Sequence, residues 1–91
     1  MPQDEDVLRL DKFLVFARFC KTRSVALALV DQGGVRINRQ PTDKPHAKLR
    51  PGDVLTLALP AGIKVVEVLA LPERRGAAPV AQSFYREIPA S

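Results

Sequence analysis

The chain has 91 residues, 46% of them apolar and 26% charged, with 14 Lys and Arg against 10 Asp and Glu for a net charge of +4. A chain of this length makes one small domain that buries roughly 60% of its unfolded surface, which excludes a two-domain enzyme and leaves no room for a large substrate cavity. One cysteine, Cys20, and one histidine, His46, exclude an internal disulfide and a zinc site of Cys and His ligands within one copy.

The first residues carry Asp4, Glu5 and Asp6 without a base, an acidic arm that lacks the basic flank and apolar stretch of a secretory signal. The longest apolar run, Val25 to Val30, is far shorter than the roughly 20 residues needed to cross a bilayer. A soluble cytoplasmic protein with no membrane partner is expected. Between residues 9 and 50 the chain holds ten bases (Arg9, Lys12, Arg18, Lys21, Arg23, Arg36, Arg39, Lys44, Lys48, Arg50) against Asp11, Asp31 and Asp43. Such a local excess concentrates phosphate-bearing ligands and steers their approach. Residues 51–91 balance, four bases against four acids.

From Leu8 to Phe19, the apolar positions Leu10, Phe13, Leu14 and Ala17 fall on one helical stripe, with Asp11 in the first turn. After a break at Cys20 and Lys21, Thr22 is a good N-cap for a second helix over Arg23 to Gln32, and Gly33 and Gly34 end it. Val35 to Ile37 alternates as a short strand that turns Arg36 away from the core, and Asn38 begins a turn. Arg39 to Pro45, with two prolines, predicts a loop. Pro51-Gly52-Asp53 is a turn, after which Val54 to Leu59 and Ile63 to Leu71 form a hairpin across Pro60-Ala61-Gly62. Glu73 to Pro79 reads as a linker, and Val80 to Ile88 as a short terminal helix or strand.

The start of the second helix concentrates the chemistry. A helix N-terminus offers unpaired N–H groups and partial positive charge, and here Arg18, Lys21 and Arg23 surround it with the hydroxyls of Thr22 and Ser24, the outline of a phosphate site. Arg9 and Lys12, three apart on the predicted first helix, extend that face. Cys20 and His46 do not make a catalytic pair, because no orienting acid or oxyanion element accompanies them, and a lone cysteine acts as a small buried hydrophobe. Phe13, Phe16 and Phe19 read as core, although Phe16 could also be a stacking platform. Phe84 and Tyr85 are expected to pin the tail onto the sheet.

The strings Arg9-Leu10-Asp11-Lys12-Phe13-Leu14, Ala17-Arg18-Phe19-Cys20-Lys21-Thr22-Arg23-Ser24, Gly33-Gly34-Val35-Arg36-Ile37-Asn38 and Arg50-Pro51-Gly52-Asp53 together resemble the S4 RNA-binding domain. The opening is similar to the small stand-alone heat shock protein 15 family, which binds ribosomal RNA on the large subunit. The resemblance runs from about Arg9 to Leu59. It implies an α+β fold, a helix pair packed on a small antiparallel sheet with a short C-terminal extension. It also implies RNA contacts from Arg9, Lys12, Arg18, Lys21, Thr22, Arg23, Ser24, Gly33, Arg36 and Asn38, with Asp11 holding the helix pair or its bases in place. The chain departs from the family at Asn38-Arg39, where Asn-Gly is usual, and in its nearly neutral tail after Pro72, where enterobacterial members carry a longer basic helix.

The expected layout is an acidic arm over 1–8, an S4-like domain over 9–72, and a linker with extension over 73–91. The expected activity is non-enzymatic binding of structured RNA, ribosomal RNA or the large ribosomal subunit, by a monomer with no cofactor, metal or small-molecule substrate. The competing reading is a protein-interaction adaptor that uses Phe16 and Leu27 as exposed apolar contacts.

Overall fold

The computed structural model describes residues 7–71 and 82–89. The expectations for the acidic arm up to residue 6 and for the linker over 73–79 lie outside them.

The two helices are α1, Leu10–Phe16, and α2, Arg23–Asp31. Thr22 is the extended N-cap of α2, and its Oγ1 accepts from the Val25 N–H at 3.2 Å. At the other end the Gly34 N–H donates to the Leu29 carbonyl at 2.9 Å and the Gly33 N–H to the Val30 carbonyl at 3.0 Å. This bond pair needs a left-handed residue just past the helix, and Gly33 supplies it at φ 77°. Gly34 serves close approach instead, since a Cβ there would lie 2.6 Å from Leu29 Cδ1 and 3.1 Å from the Leu29 carbonyl oxygen.

The first helix is shorter than its apolar stripe predicts. Leu8–Arg9 is a strand, β1, paired antiparallel with β4, Lys48–Leu49. The Leu10 N–H donates to the Ala47 carbonyl at 2.8 Å and the Asp11 N–H to the Pro45 carbonyl at 3.0 Å. The loop before β4 therefore satisfies the opening turn of α1 and holds the preceding residues extended. Arg9 consequently sits on a strand and not on the helix face predicted for it. Past the C-cap Ala17, the Arg18 N–H donates to the Val15 carbonyl at 3.0 Å and the Phe19 N–H to the Leu14 carbonyl at 2.9 Å. α1 therefore ends in the same bond pattern as α2, with Arg18 at φ 68° where α2 has Gly33.

The remaining strands are β2 (Val35–Ile37), β3 (Gln40–Pro41), β5 (Val54–Leu59), β6 (Gly62–Val68) and β7 (Tyr85–Ile88). They form one antiparallel sheet in the order β3-β2-β5-β6-β7. β3 replaces the beginning of the predicted loop, and its Pro41 is tolerated because the strand lies at the sheet edge. Asn38 at φ 52° and Arg39 at φ 73° form the two-residue left-handed turn between β2 and β3. The turn expected of Asn-Gly is thus kept, with an arginine in the glycine conformation. The predicted helix-or-strand tail resolves as a 3-10 turn over Gln82–Phe84 followed by β7.

The helix pair covers one face of the sheet. Leu10, Phe13 and Leu14 of α1 and Ala26 and Val30 of α2 pack with Val35, Leu55, Leu57, Val66 and Val68, all without solvent exposure. Register explains the choice of face. Val35 lies opposite Leu57 and Leu55 opposite Val66, so alternation sends these side chains to one side and Arg36 and Thr56 to the other. Tyr85 and Phe84 pack against this core, the Tyr85 ring centroid 4.5 Å from that of Phe19, so the tail is pinned as expected. Among the described residues no helix is long and apolar enough to cross a membrane.

Candidate nucleic-acid interface

Asp11 organises the basic face. It is fully buried, and its Oδ2 accepts from Arg9 Nη2 at 3.0 Å and from Arg23 Nε at 3.0 Å. Its Oδ1 accepts from Arg9 Nε at 3.2 Å and from the Lys12 N–H at 2.9 Å. One carboxylate therefore ties β1, the start of α1 and the start of α2 together. A buried carboxylate persists only when its lone pairs are filled in this way. Arg9 and Arg23 keep 39% and 60% of their side-chain surface exposed, so each guanidinium is fixed at one edge and free at the other.

Around this clamp Lys12, Arg18, Lys21, Thr22 and Ser24 are exposed. Thr22 Oγ1 occupies the Val25 N–H, while the N–H groups of Arg23 and Ser24 meet no acceptor among the described residues. Two open amides, the partial charge of the helix and the exposed guanidinium edges of Arg9 and Arg23 concentrate positive potential at the start of α2, the kind of surface that attracts oxyanions. Lys48, which sequence reasoning left out of the site, lies directly across from Arg9 in the β1–β4 pair. The guanidinium of Arg9 is already paired with Asp11, so the exposed Lys48 adds a second cation beside that ion pair. Only the pairing of two-residue strands reveals this neighbour.

Gly33, Arg36 and Asn38 belong elsewhere. They follow the far end of α2, whose nine residues span about 14 Å at 1.5 Å per residue. Gly33 and Arg36 are exposed. The amide of Asn38 is engaged within the protein. Its Nδ2 donates to Asp53 Oδ1 at 3.1 Å, and its Oδ1 accepts from the Val54 N–H at 2.9 Å. Asp53 Oδ2 in turn accepts from the Arg50 N–H at 2.9 Å. The Asn38 turn and the Arg50-Pro51-Gly52-Asp53 turn are thus stapled together, a structural task for Asn38.

Cys20 is 3% exposed, and burial raises its thiol pKa, so the protonated and unreactive form is favoured, whereas His46 is exposed. Phe16 and Leu27 are half-buried and not the exposed contacts the adaptor reading requires. Large apolar side chains exposed among the described residues are Val25, Ile63 and Leu69.

Residues 8–55 match the S4 domain family model. The heat shock protein 15 homolog of Haemophilus influenzae is 39% identical over 87 residues, covering 96% of this chain and 66% of that protein. The homolog of Aeromonas salmonicida is 39% identical, with 63% of its length covered, so the chain spans somewhat under two thirds of these relatives. The RQC P-site tRNA stabilizing factor of Bacillus subtilis is 36% identical over 66 residues, covering 72% of this chain and 76% of that protein. Among solved structures, the trimeric heat shock protein 15 of Vibrio cholerae superposes with a TM-score of 0.84 at 39% identity, covering 90% of this chain and 82% of that one. With the family model matching more than half of its residues and the helix-pair-on-sheet architecture shared with a solved relative, the chain belongs to the S4 domain family.

Proposed function

We propose that the chain is a ribosome-associated RNA-binding protein that grips structured RNA through the phosphates it lays on the helix pair. The observation that carries this reading is the buried Asp11 carboxylate holding Arg9 and Arg23 side by side, with their outer edges free beside the start of α2. Arg9, Lys12, Arg18, Lys21, Thr22, Arg23 and Ser24 form the principal binding set, and Gly33 and Arg36 extend it beyond the far end of α2. Folded RNA is held mostly by shape, phosphate and 2'-hydroxyl contacts, which suits bases and backbone amides without an aromatic platform. The relatives named for heat shock and for stabilising a P-site tRNA support the ribosome as the setting. The activity is binding without a chemical step, and the chain binds as a monomer. Sedimentation at micromolar concentration tests the last point, and a trimer like that of the Vibrio cholerae protein contradicts it.

The salt dependence of RNA affinity tests the site. Changing Arg18, Lys21 and Arg23 to Ala together weakens binding strongly and flattens the slope of log K against log salt by roughly 0.7 to 0.9 for each phosphate no longer neutralised. Changing Lys64, Arg74 and Arg75 to Ala removes the same charge from β6 and the segment after it. Equal weakening by both triples means that net charge alone matters and rejects the site.

A further inference from the structure

On the sheet face turned away from the helices, Arg36, Thr56, Ala58, Ile63 and the backbone of Gly33 and Gly34 line a hollow of about 330 Å³. Its shape follows from register. Arg36 lies beside Thr56, Ala58 lies beside Ile63, and the Ala58 N–H donates to the Gly34 carbonyl at 2.8 Å. The floor is therefore built from a methyl group and glycine backbone, and the walls from two long side chains, Arg36 and Ile63. Ile63 is 72% exposed, and Arg36 has no carboxylate partner among the described residues. A Cβ built at Gly33 meets nothing within 4 Å, so the approach from the end of α2 is open.

Each part of this hollow suits one flat, amphipathic ligand. A guanidinium plane stacks on an aromatic face, a branched aliphatic chain packs against a ring, and the Thr56 hydroxyl can donate to or accept from a polar edge. We propose that the hollow takes a single unpaired nucleobase of the bound RNA, sandwiched between Arg36 and Ile63. The proposal rests on the RNA-binding reading above. Continuity favours a nucleobase over another occupant, because Gly33 and Arg36 belong both to the hollow and to the proposed binding set. A strand that follows α2 from Thr22 reaches Gly33, at the rim of the hollow, after about 17 Å. The base must be unpaired, because the faces of a base inside a helix are already stacked.

The test uses the full chain and two RNA hairpins that differ only in one unpaired adenosine bulged from the stem. The unaltered protein binds the bulged hairpin about tenfold more tightly, near the low end of what one stacked base contributes. Ala58→Leu, which fills the floor, and Ile63→Ser, which removes a wall, lose this preference while keeping the affinity for the paired hairpin. The Arg18, Lys21 and Arg23 to Ala triple weakens both hairpins and so reports on the basic face separately. The proposal is overturned if the unaltered protein shows no preference, if both hollow variants retain it, or if they weaken both hairpins with an unchanged circular dichroism spectrum. A change of sedimentation coefficient in Ala58→Leu without RNA also overturns it, because the face is then an interface between copies. Absence of salt-dependent binding to either hairpin defeats the RNA reading itself, and the nucleobase site with it.

Discussion

Asp11 and Arg23, twelve positions apart, meet at 3.0 Å between Oδ2 and Nε, the carboxylate fully buried and the guanidinium largely in solvent. The contact is asymmetric in its consequences. For the carboxylate it is one of the bonds that make burial tolerable, and for Arg23 it is an anchor that removes rotamer freedom before any ligand arrives.

Asp11→Asn tests this role in a direction opposite to simple electrostatics. The substitution raises the net charge, which by itself strengthens attraction to RNA, yet it releases Arg9 and Arg23 from their shared anchor. RNA affinity is expected to fall several-fold. Stability is expected to fall by about 1.5 to 3 kcal/mol, the range for hydrogen bonds to charged groups. Urea unfolding and RNA titration at fixed salt read the two effects, and tighter RNA binding by the variant contradicts the anchoring role.

Arg39 carries a different cost. It holds φ 73° in the β2–β3 turn, a conformation that disfavours any residue with a Cβ. Arg39→Gly is expected to stabilise the fold by about 0.5 to 1 kcal/mol, the relief of left-handed strain less the added freedom of glycine in the unfolded chain. Arg39→Ala separates backbone from side chain, because it keeps the strain and removes the charge. A gain in urea midpoint for Ala equal to that for Gly attributes the effect to the guanidinium and not to the turn.

The contrast between α2 and the β1–β4 ribbon shows where sequence reasoning works and where it stops. Thr22 and Gly33 are residue types with a conformational reason to flank a helix, so α2 was legible to within one residue. The β5–β6 hairpin was legible from its alternation and its turn, except that β6 ends at Val68 and not at Leu71, since the Leu69 and Ala70 N–H groups turn to the Phe84 carbonyl. Two-residue strands have no period, so β1 and β4 left no trace, and with them went the position of Arg9 and the neighbour Lys48. Arg18 and Arg39 were opaque for another reason, since nothing about an arginine signals a positive φ. The basic stretch around Thr22 was visible as charge. That one buried carboxylate binds two of its arginines depends on the meeting of β1, α1 and α2, which spacing along the chain does not encode.

Cys20 separates packing from chemistry. Cys20→Ser places a hydroxyl in an apolar site and is expected to cost about 1 to 3 kcal/mol while leaving RNA affinity in the folded protein unchanged. The thiol pKa is raised by burial from an ordinary 9.0, so the folded protein holds this proton at a pH where the unfolded chain releases it. Its contribution is therefore intact below that ordinary value and is lost as pH rises toward the folded one. Relative to Cys20→Ser, the unaltered protein loses stability as pH rises above about 9, and urea midpoints across that range measure the difference.

Tyr85 is one of two aromatic rings, with Phe84, that pack the tail against the core. β7 continues the sheet beyond β6, and the Tyr85 ring leans on Phe19 in the connection between the two helices, between Arg18 and Cys20. Removing the ring uncovers Phe19 and leaves the tail held by Phe84, by the ladder bonds of β7 and by the surface ion pairs of Lys64 with Glu87 and Arg86 with Glu67. Exposed pairs of this kind contribute about 1 kcal/mol or less, so they do not replace the ring. Tyr85→Ala is expected to destabilise the protein by about 1 to 3 kcal/mol, below the full cost of a core aromatic because the ring is half-buried. RNA affinity, measured where the variant remains folded, should change by less than about threefold, or about 0.65 kcal/mol, since the clamp at Asp11 is untouched. Arg86→Ala, which removes the one base of residues 76–91, provides the matched charge control. A sharp loss of RNA affinity in Tyr85→Ala with the remaining fold intact means that the connection from Arg18 to Thr22 relies on the tail for its binding geometry. The same loss in Arg86→Ala places the tail within the RNA interface.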